Sequence, residues 1–167
     1  MEYNEVNGDL ISLAKKGKFD VITHGCNCMS NMGAGIAVPM NYTFDCSRFD
    51  MELWGPNINK LGNIDYQHFV LGEYAMWNLE DADNKKGEPV LTVVNSYTQN
   101  YPSVRLKPLD YEALTLCMRK INHHFKGMRI GLPKIGAGLA GGDWNRIKEI
   151  IKQELKDCKV TVVIYDK

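Results

Sequence analysis

Long apolar runs are missing from this chain of 167 residues: no stretch approaches the roughly 20 residues of a membrane-spanning helix. The first residues, MEYNEVNGDLISL, lack the basic region and apolar core of a secretion signal. Neither sign of charge is in excess, since Lys plus Arg (20) equals Asp plus Glu (20). That balance argues against a dedicated nucleic-acid binder, whose domain is usually basic. The cysteines are odd in number and scattered, in a chain long enough to bury a core without staples. They read as reduced thiols of a cytoplasmic protein. Linkers, low-complexity tracts and internal repeats are absent as well, so one domain is expected over 1–167.

Three familiar chemistries are also missing. A thiol phosphatase needs an arginine at a short fixed step after its cysteine, but six residues beyond Cys26, Cys28 and Cys117 stand Met32, Ala34 and His123. A nucleotide-binding P-loop needs a glycine turn that ends in Gly-Lys-Ser/Thr, and neither glycine turn here does. His24, Cys26 and Cys28 are spaced by two and would share one face of a strand. Structural zinc wants close pairs such as Cys-x2-Cys. No second pair exists, Cys46 is distant, and small cysteines packed between helix and sheet account for the same residues. No metal and no cofactor are expected.

What is present is an alternation of strands and helices. YNEV before Asn7-Gly8-Asp9 reads as a strand, with Asp9 capping a helix that runs through Lys16. FDVITHGC reads as a buried strand that leads through a glycine turn into a helix from about Gly35 to Phe44, with Pro39 near its first turn. A loop-rich excursion follows from Asp45 to Asn63. HFVLGEYAMW and PVLTVVNSY read as strands around the polar turn EDADNKKGE. LDYEALTLCMRKINHHF has helical spacing, MRIGLP is a strand, DWNRIKEIIKQEL is an amphipathic helix capped by Asp143, and KVTVVIY is a last strand. Such an order predicts an α/β sheet covered on both faces, with ligands beyond the carboxyl ends of its strands.

Two strands end in glycine-rich turns, VITHGCNCMSNMGAGIA and IGLPKIGAGLAGGDW. A helix N-terminus offers free N–H groups and a positive dipole end, and glycine lets an oxyanion come close. Two such turns in one sheet can embrace a diphosphate from both sides. Asp9 then suits an adenine amino group and Tyr165 a stacked base, although helix capping and a half-buried strand end explain them equally well.

The ordered set GDL, THGCNCMSNMGAGIA, GLPKIGAGLAGGDW and VTVVIYD resembles the macrodomain, an ADP-ribose-binding three-layer α/β/α module with a central mixed sheet. Within that family it is similar to the phage and microbial group related to ADP-ribose-1″-phosphate phosphatases, and to macrodomain proteins of T4-like bacteriophages. The resemblance implies a monomer in an infected bacterial cytoplasm. It places Asp9 and Leu10 at the adenine and Asn27 at the distal ribose. Gly33, Ala34, Gly35 and Ile36 match a first phosphate-and-ribose loop. Gly136, Ala137, Gly138, Leu139 and Ala140 match the second, and Tyr165 stands beside the adenosine.

Where a related hydrolase group carries a catalytic lysine and aspartate, this chain has Ser96 and Ala140, so that mechanism does not transfer. The segment 39–59 also departs from the family pattern. The expected activity is hydrolysis of ADP-ribose-1″-phosphate to ADP-ribose and phosphate. Asn27 would hold the ribose, and His24, the one side chain of the first loop that titrates near neutrality, would be acid or base. Burial at a strand end is the competing role for His24, and a helix cap that for Asp143. Removal of ADP-ribose from protein or nucleic acid, or non-catalytic ADP-ribose reading, are the competing functions.

Overall fold

Three aspartates start three of the helices. The Ser12 N–H donates to Asp9 at 2.9 Å, that of Ala113 to Asp110 at 3.0 Å and that of Asn145 to Asp143 at 3.0 Å. Each carboxylate satisfies an amide that the first turn leaves without an intrahelical partner. The computed structural model describes residues 2–49, 60–71, 76–78, 90–100, 108–138 and 140–165. Its elements run β1 (Glu2–Asn7), α1 (Leu10–Lys15), β2 (Val21–Asn27), α2 (Ala37–Phe44), a 3₁₀ turn (Cys46–Arg48), β3 (Ile64–Leu71), β4 (Met76–Asn78), β5 (Val90–Gln99), α3 (Tyr111–His124), β6 (Arg129–Leu132), α4 (Trp144–Glu154) and β7 (Lys159–Ile164).

The strands form one sheet in the order β1-β7-β6-β2-β5-β3-β4. Neighbours from β1 to β5 are parallel; β3 lies antiparallel to both β5 and β4. Side chains alternate across this sheet. Along β5, Leu91, Val93 and Tyr97 pack with α1 and α2, whereas Val94 packs with α3 and α4. The outcome is the expected three-layer α/β/α arrangement around a mixed sheet. No helix among the described residues is long and apolar enough to cross a membrane.

Two elements differ from the sequence expectation. HFVLGEYAMW is not one strand: β3 starts earlier, at Ile64, and Met76–Asn78 turns back on it with Val70 opposite Trp77. Both arms are equally β-prone, so alternation alone hides the reversal, and Gly72 was its only punctuation. The second helix begins at Ala37, two residues later than expected, because Gly35 still belongs to the turn. The polar turn at 80–88 and positions 50–59 of the excursion lie outside the described residues.

Gly131 shows how closely the first helical layer meets the sheet. A Cβ on this β6 residue would stand 2.6 Å from a ring carbon of Phe19. Phe19 is buried and fills the space that a side chain on β6 would take. Gly131→Ala is therefore expected to destabilise the fold by about 1–3 kcal/mol through overpacking. Urea denaturation checks this, and adding Phe19→Leu should recover part of the loss. Equal midpoints for Gly131→Ala and the parent would disprove the close approach.

Candidate ligand-binding cleft

Because β1, β7, β6, β2 and β5 are parallel, the chain leaves all five at the same edge. A two-lobed cleft opens there, with volumes of about 610 and 630 Å³. The lobes share Gly35, Ile36, Pro133, Lys134 and Gly138 as a common strip. Each lobe matches the size of a small-molecule site at the carboxyl end of an α/β sheet.

One lobe is lined by Asp9, Leu10, Ala137, Val163 and Tyr165 among others. Capping and ligand binding turn out to be compatible for Asp9. The cap engages only Oδ1, so Oδ2 is left to accept from a ligand amino group. Leu10 is buried as an apolar floor, while the Tyr165 side chain is 69% exposed and free to cover a flat ring.

The other lobe is polar. Asn27, Asn31, Thr98 and Gln99 line it beside Gly33, Ala34, Gly136 and Ala140. Between Cys26 and Asn27 the pairing of β2 with β5 slips: Cys26 faces Tyr97, but Asn27 faces Gln99. This bulge ends the regular ladder under the cleft. The Asn27 amide is largely committed to its own loop. Its oxygen accepts from the N–H groups of Met29 at 3.1 Å and Asn31 at 3.0 Å, and its nitrogen donates to the Asn31 carbonyl at 2.8 Å. One N–H is not used in these bonds, so toward the lobe the amide offers a donor rather than both a donor and an acceptor. Ser30, in a left-handed conformation at φ 55°, accepts from the buried Lys60 ammonium at 2.8 Å. That bond ties the residue just after the divergent segment to the loop that lines the lobe.

The two glycine turns are not equivalent. The first runs directly into α2, whose N-terminus carries no side-chain cap and faces the cleft at Ile36 and Ala37. The second closes on itself, with Gly141 N–H donating to the Gly138 carbonyl and Gly142 N–H to that of Gly136. Its following helix starts only at Trp144 and is already capped by Asp143. Only the first turn is thus a helix-end cradle. In the second, Gly136 has φ 76° with Leu109 carbons 2.9 Å from a would-be Cβ, so glycine is required there. Gly138 has open space around it instead. Leu139 lies outside the described residues.

His24 does not reach the cleft. It is fully buried on the α1–α2 side of β2. Asn95 donates its amide N–H to the Cys46 carbonyl at 2.9 Å, so its oxygen receives the His24 Nε2 proton at 2.8 Å. Burial is the main cause that lowers the His24 pKa to about 4, and the Asn95 bond opposes it only in part. The ring is neutral at physiological pH and separated from solvent, which fits the structural role. Ser96 is equally buried and bonded to Thr23 at 2.7 Å. At the central strand end, Thr98 and Gln99 face the cleft in its place, and neither is a lysine. Asp143 acts as the helix cap. Cys26 borders the polar lobe, but burial raises its thiol well above the ordinary range. Among the described residues, no group of three or more His, Cys, Asp or Glu is placed to hold a metal ion.

Sequence reasoning missed Asn31, Thr98, Gln99 and Lys134. Lys134 had a readable signal, being the one cation inside either glycine-turn segment.

No family model matches the chain. It is 29% identical over 170 residues to an uncharacterized 17.5 kDa protein of Enterobacteria phage T4, covering 96% of this chain and 94% of that one. A macrodomain protein from Streptomyces coelicolor superposes with a TM-score of 0.64 at 24% identity, over 99% of both chains. The chain has the macrodomain fold. Thermosipho africanus DarTG, solved in complex with ADP-ribose, matches with a TM-score of 0.68 at 16% identity, over 99% of this chain and 41% of that one.

The buried histidine of this fold has a thermodynamic signature. In the unfolded chain His24 takes up a proton near 6.5, but in the fold only near 4. Between those values the unfolded state binds more protons, so folding stability falls as pH drops from about 6.5 to 4. This group alone accounts for about 3 kcal/mol of that loss. Urea denaturation at pH 7, 5.5 and 4.5 should therefore show a steep decline that is blunted in His24→Gln, whose amide still donates to Asn95. The same slope in both proteins would mean that other groups carry it.

Proposed function

We propose that the cleft binds ADP-ribose, with adenosine in the Asp9 lobe, the diphosphate on the shared strip and the distal ribose in the Asn27 lobe. The observation that carries this is the order of chemistry along one continuous groove. A carboxylate oxygen and an exposed aromatic stand at one end, a helix N-terminus and glycine turn at the narrows, and amides at the other end. The DarTG structure with ADP-ribose supports the same reading by shared fold.

On this reading the chain acts on ADP-ribose-1″-phosphate by adding water to the phosphorus. The phosphorus–oxygen bond to the ribose breaks, and the ribose oxygen takes up a proton. With His24 in the core, the described residues that line the lobe include no side chain that exchanges protons near neutral pH. The substrate phosphate, whose second pKa is near 6 for such esters, would pass the proton from the water to the leaving oxygen. Asn31, Gln99 and the remaining Asn27 N–H would place that water. That same absence of a titrating group favours a second reading, a non-catalytic ADP-ribose reader.

Calorimetric titration should give one ADP-ribose site per chain, and no heat or thermal shift at millimolar ligand would remove the proposal. Gly138 lies in the shared strip with nothing within 4 Å of a would-be Cβ. Gly138→Val should keep the fold yet lose at least about tenfold in affinity, about 1.4 kcal/mol. Phosphate release from ADP-ribose-1″-phosphate, run beside release of ADP-ribose from modified protein, separates the enzyme from the reader. Turnover in His24→Gln should equal that of the parent if the substrate carries its own proton, and its loss would restore the histidine to the mechanism.

A further inference from the structure

We infer that Lys134 is the counter-charge for the ligand's diphosphate and sets the preference of the cleft for diphosphate-linked nucleotides over a bare nucleoside. This rests on the ADP-ribose reading. Among the described residues, Lys134 is the one charged side chain on the strip shared by the two lobes, and Asp9, the other charge lining the cleft, stands outside that strip.

The two walls of the narrows differ in what they offer an anion. On the first wall, the uncapped start of α2 provides amide donors and a positive dipole end. The second has no helix end to contribute, because α4 begins beyond Gly141-Gly142 and Asp143 occupies its first turn. A carboxylate at that cap also offsets the dipole it faces. Lys134, at the start of the second turn, is the positive group on this wall.

The side chain is also available. Lys134 is exposed, and its Nζ rests 5.4 Å from the centre of the Trp144 ring, a loose and solvent-accessible cation–π contact. A charge-assisted bond to a phosphate oxygen is the stronger of the two interactions. Trp144 keeps a second cation when Lys134 moves, since Lys148 lies 5.9 Å from the same ring while paired with Glu5 at 3.4 Å. Lysine suits this task as a compact charge on a flexible stem that can follow either phosphate.

Wild type, Lys134→Met and Lys134→Arg are to be titrated with ADP-ribose and with adenosine, each at low and high salt. Wild type should bind ADP-ribose more weakly as salt rises. Lys134→Met should lose about tenfold in ADP-ribose affinity, show a shallower salt dependence, and bind adenosine as before. Lys134→Arg should retain most of the affinity. Equal ADP-ribose affinity and salt dependence in Lys134→Met and wild type would overturn the inference and leave the loop amides to hold the phosphates. A parallel loss of adenosine binding would overturn it too, by showing a general disturbance of the cleft. Failure of the wild type to bind ADP-ribose is visible before any substitution; it removes the underlying reading and the inference with it.

Discussion

A one-residue slip between two parallel strands governs the polar end of this cleft. Up to Cys26 and Tyr97, β2 and β5 run in regular register, and each alternation delivers one side chain to each helical layer. Had the ladder continued, Asn27 would have faced Thr98. Instead Asn27 faces Gln99, leaving Thr98 as the extra residue of a bulge, while the Cys28 N–H donates to the Gln99 carbonyl at 3.0 Å. A bulge bends its strand and re-aims the side chains around it. Here it brings Asn27, Thr98 and Gln99 together at the rim of the lobe. Gly25 is part of the same fit, since a Cβ there would stand 3.0 Å from Thr98 Oγ1 and 3.2 Å from Ile135.

Below the slip the sheet is filled with polar groups that satisfy one another. Thr23 donates to the Val94 carbonyl at 3.0 Å and receives from Ser96, while on the opposite face His24, Asn95 and the Cys46 carbonyl form a chain. Tyr97 donates to Asp65 at 2.6 Å beside them. Buried polar atoms cost free energy unless paired, so this arrangement holds only in one register. The network therefore supports the geometry of the slip rather than any exchange of protons with the cleft. A histidine placed in such a network is recognisable by its partners, and its sequence neighbourhood does not show them.

That contrast explains what was legible in the sequence. β2, β5 and β7 were readable because β-branched runs bounded by turn residues have few other uses. The helix starts at Asp9, Asp110 and Asp143 follow from local chemistry of the same kind. The cleft's location was legible too, because parallel strands send their carboxyl ends to one edge. The reversal between β3 and β4 was not, since both arms have the same propensity. Nor was the role of His24 legible: Cys26 stands two positions away, but its decisive partner Asn95 is 71 positions away. The unequal glycine turns mark a similar limit. Both read as strand, glycine and helix, and only the spacing of Gly141-Gly142-Asp143 sets the second helix back from the cleft.

Charge is distributed in the same uneven way. The chain as a whole carries no formal net charge, yet the strip shared by the lobes combines an uncapped helix start with the Lys134 ammonium. A local positive field of this sort can draw an anion without making the surface broadly basic, which limits nonspecific attraction to polyanions. The polar lobe beyond it is neutral, furnished with amides and a hydroxyl. Such groups orient a ribose and its water by direction rather than by charge, and their donor and acceptor state does not change near neutral pH. On the ADP-ribose reading, affinity is thus concentrated at the shared strip and orientation at the far end. On the proposed hydrolytic reading, proton movements come from the bound molecule, because His24, buried and bonded to Asn95, is spent on holding the sheet together.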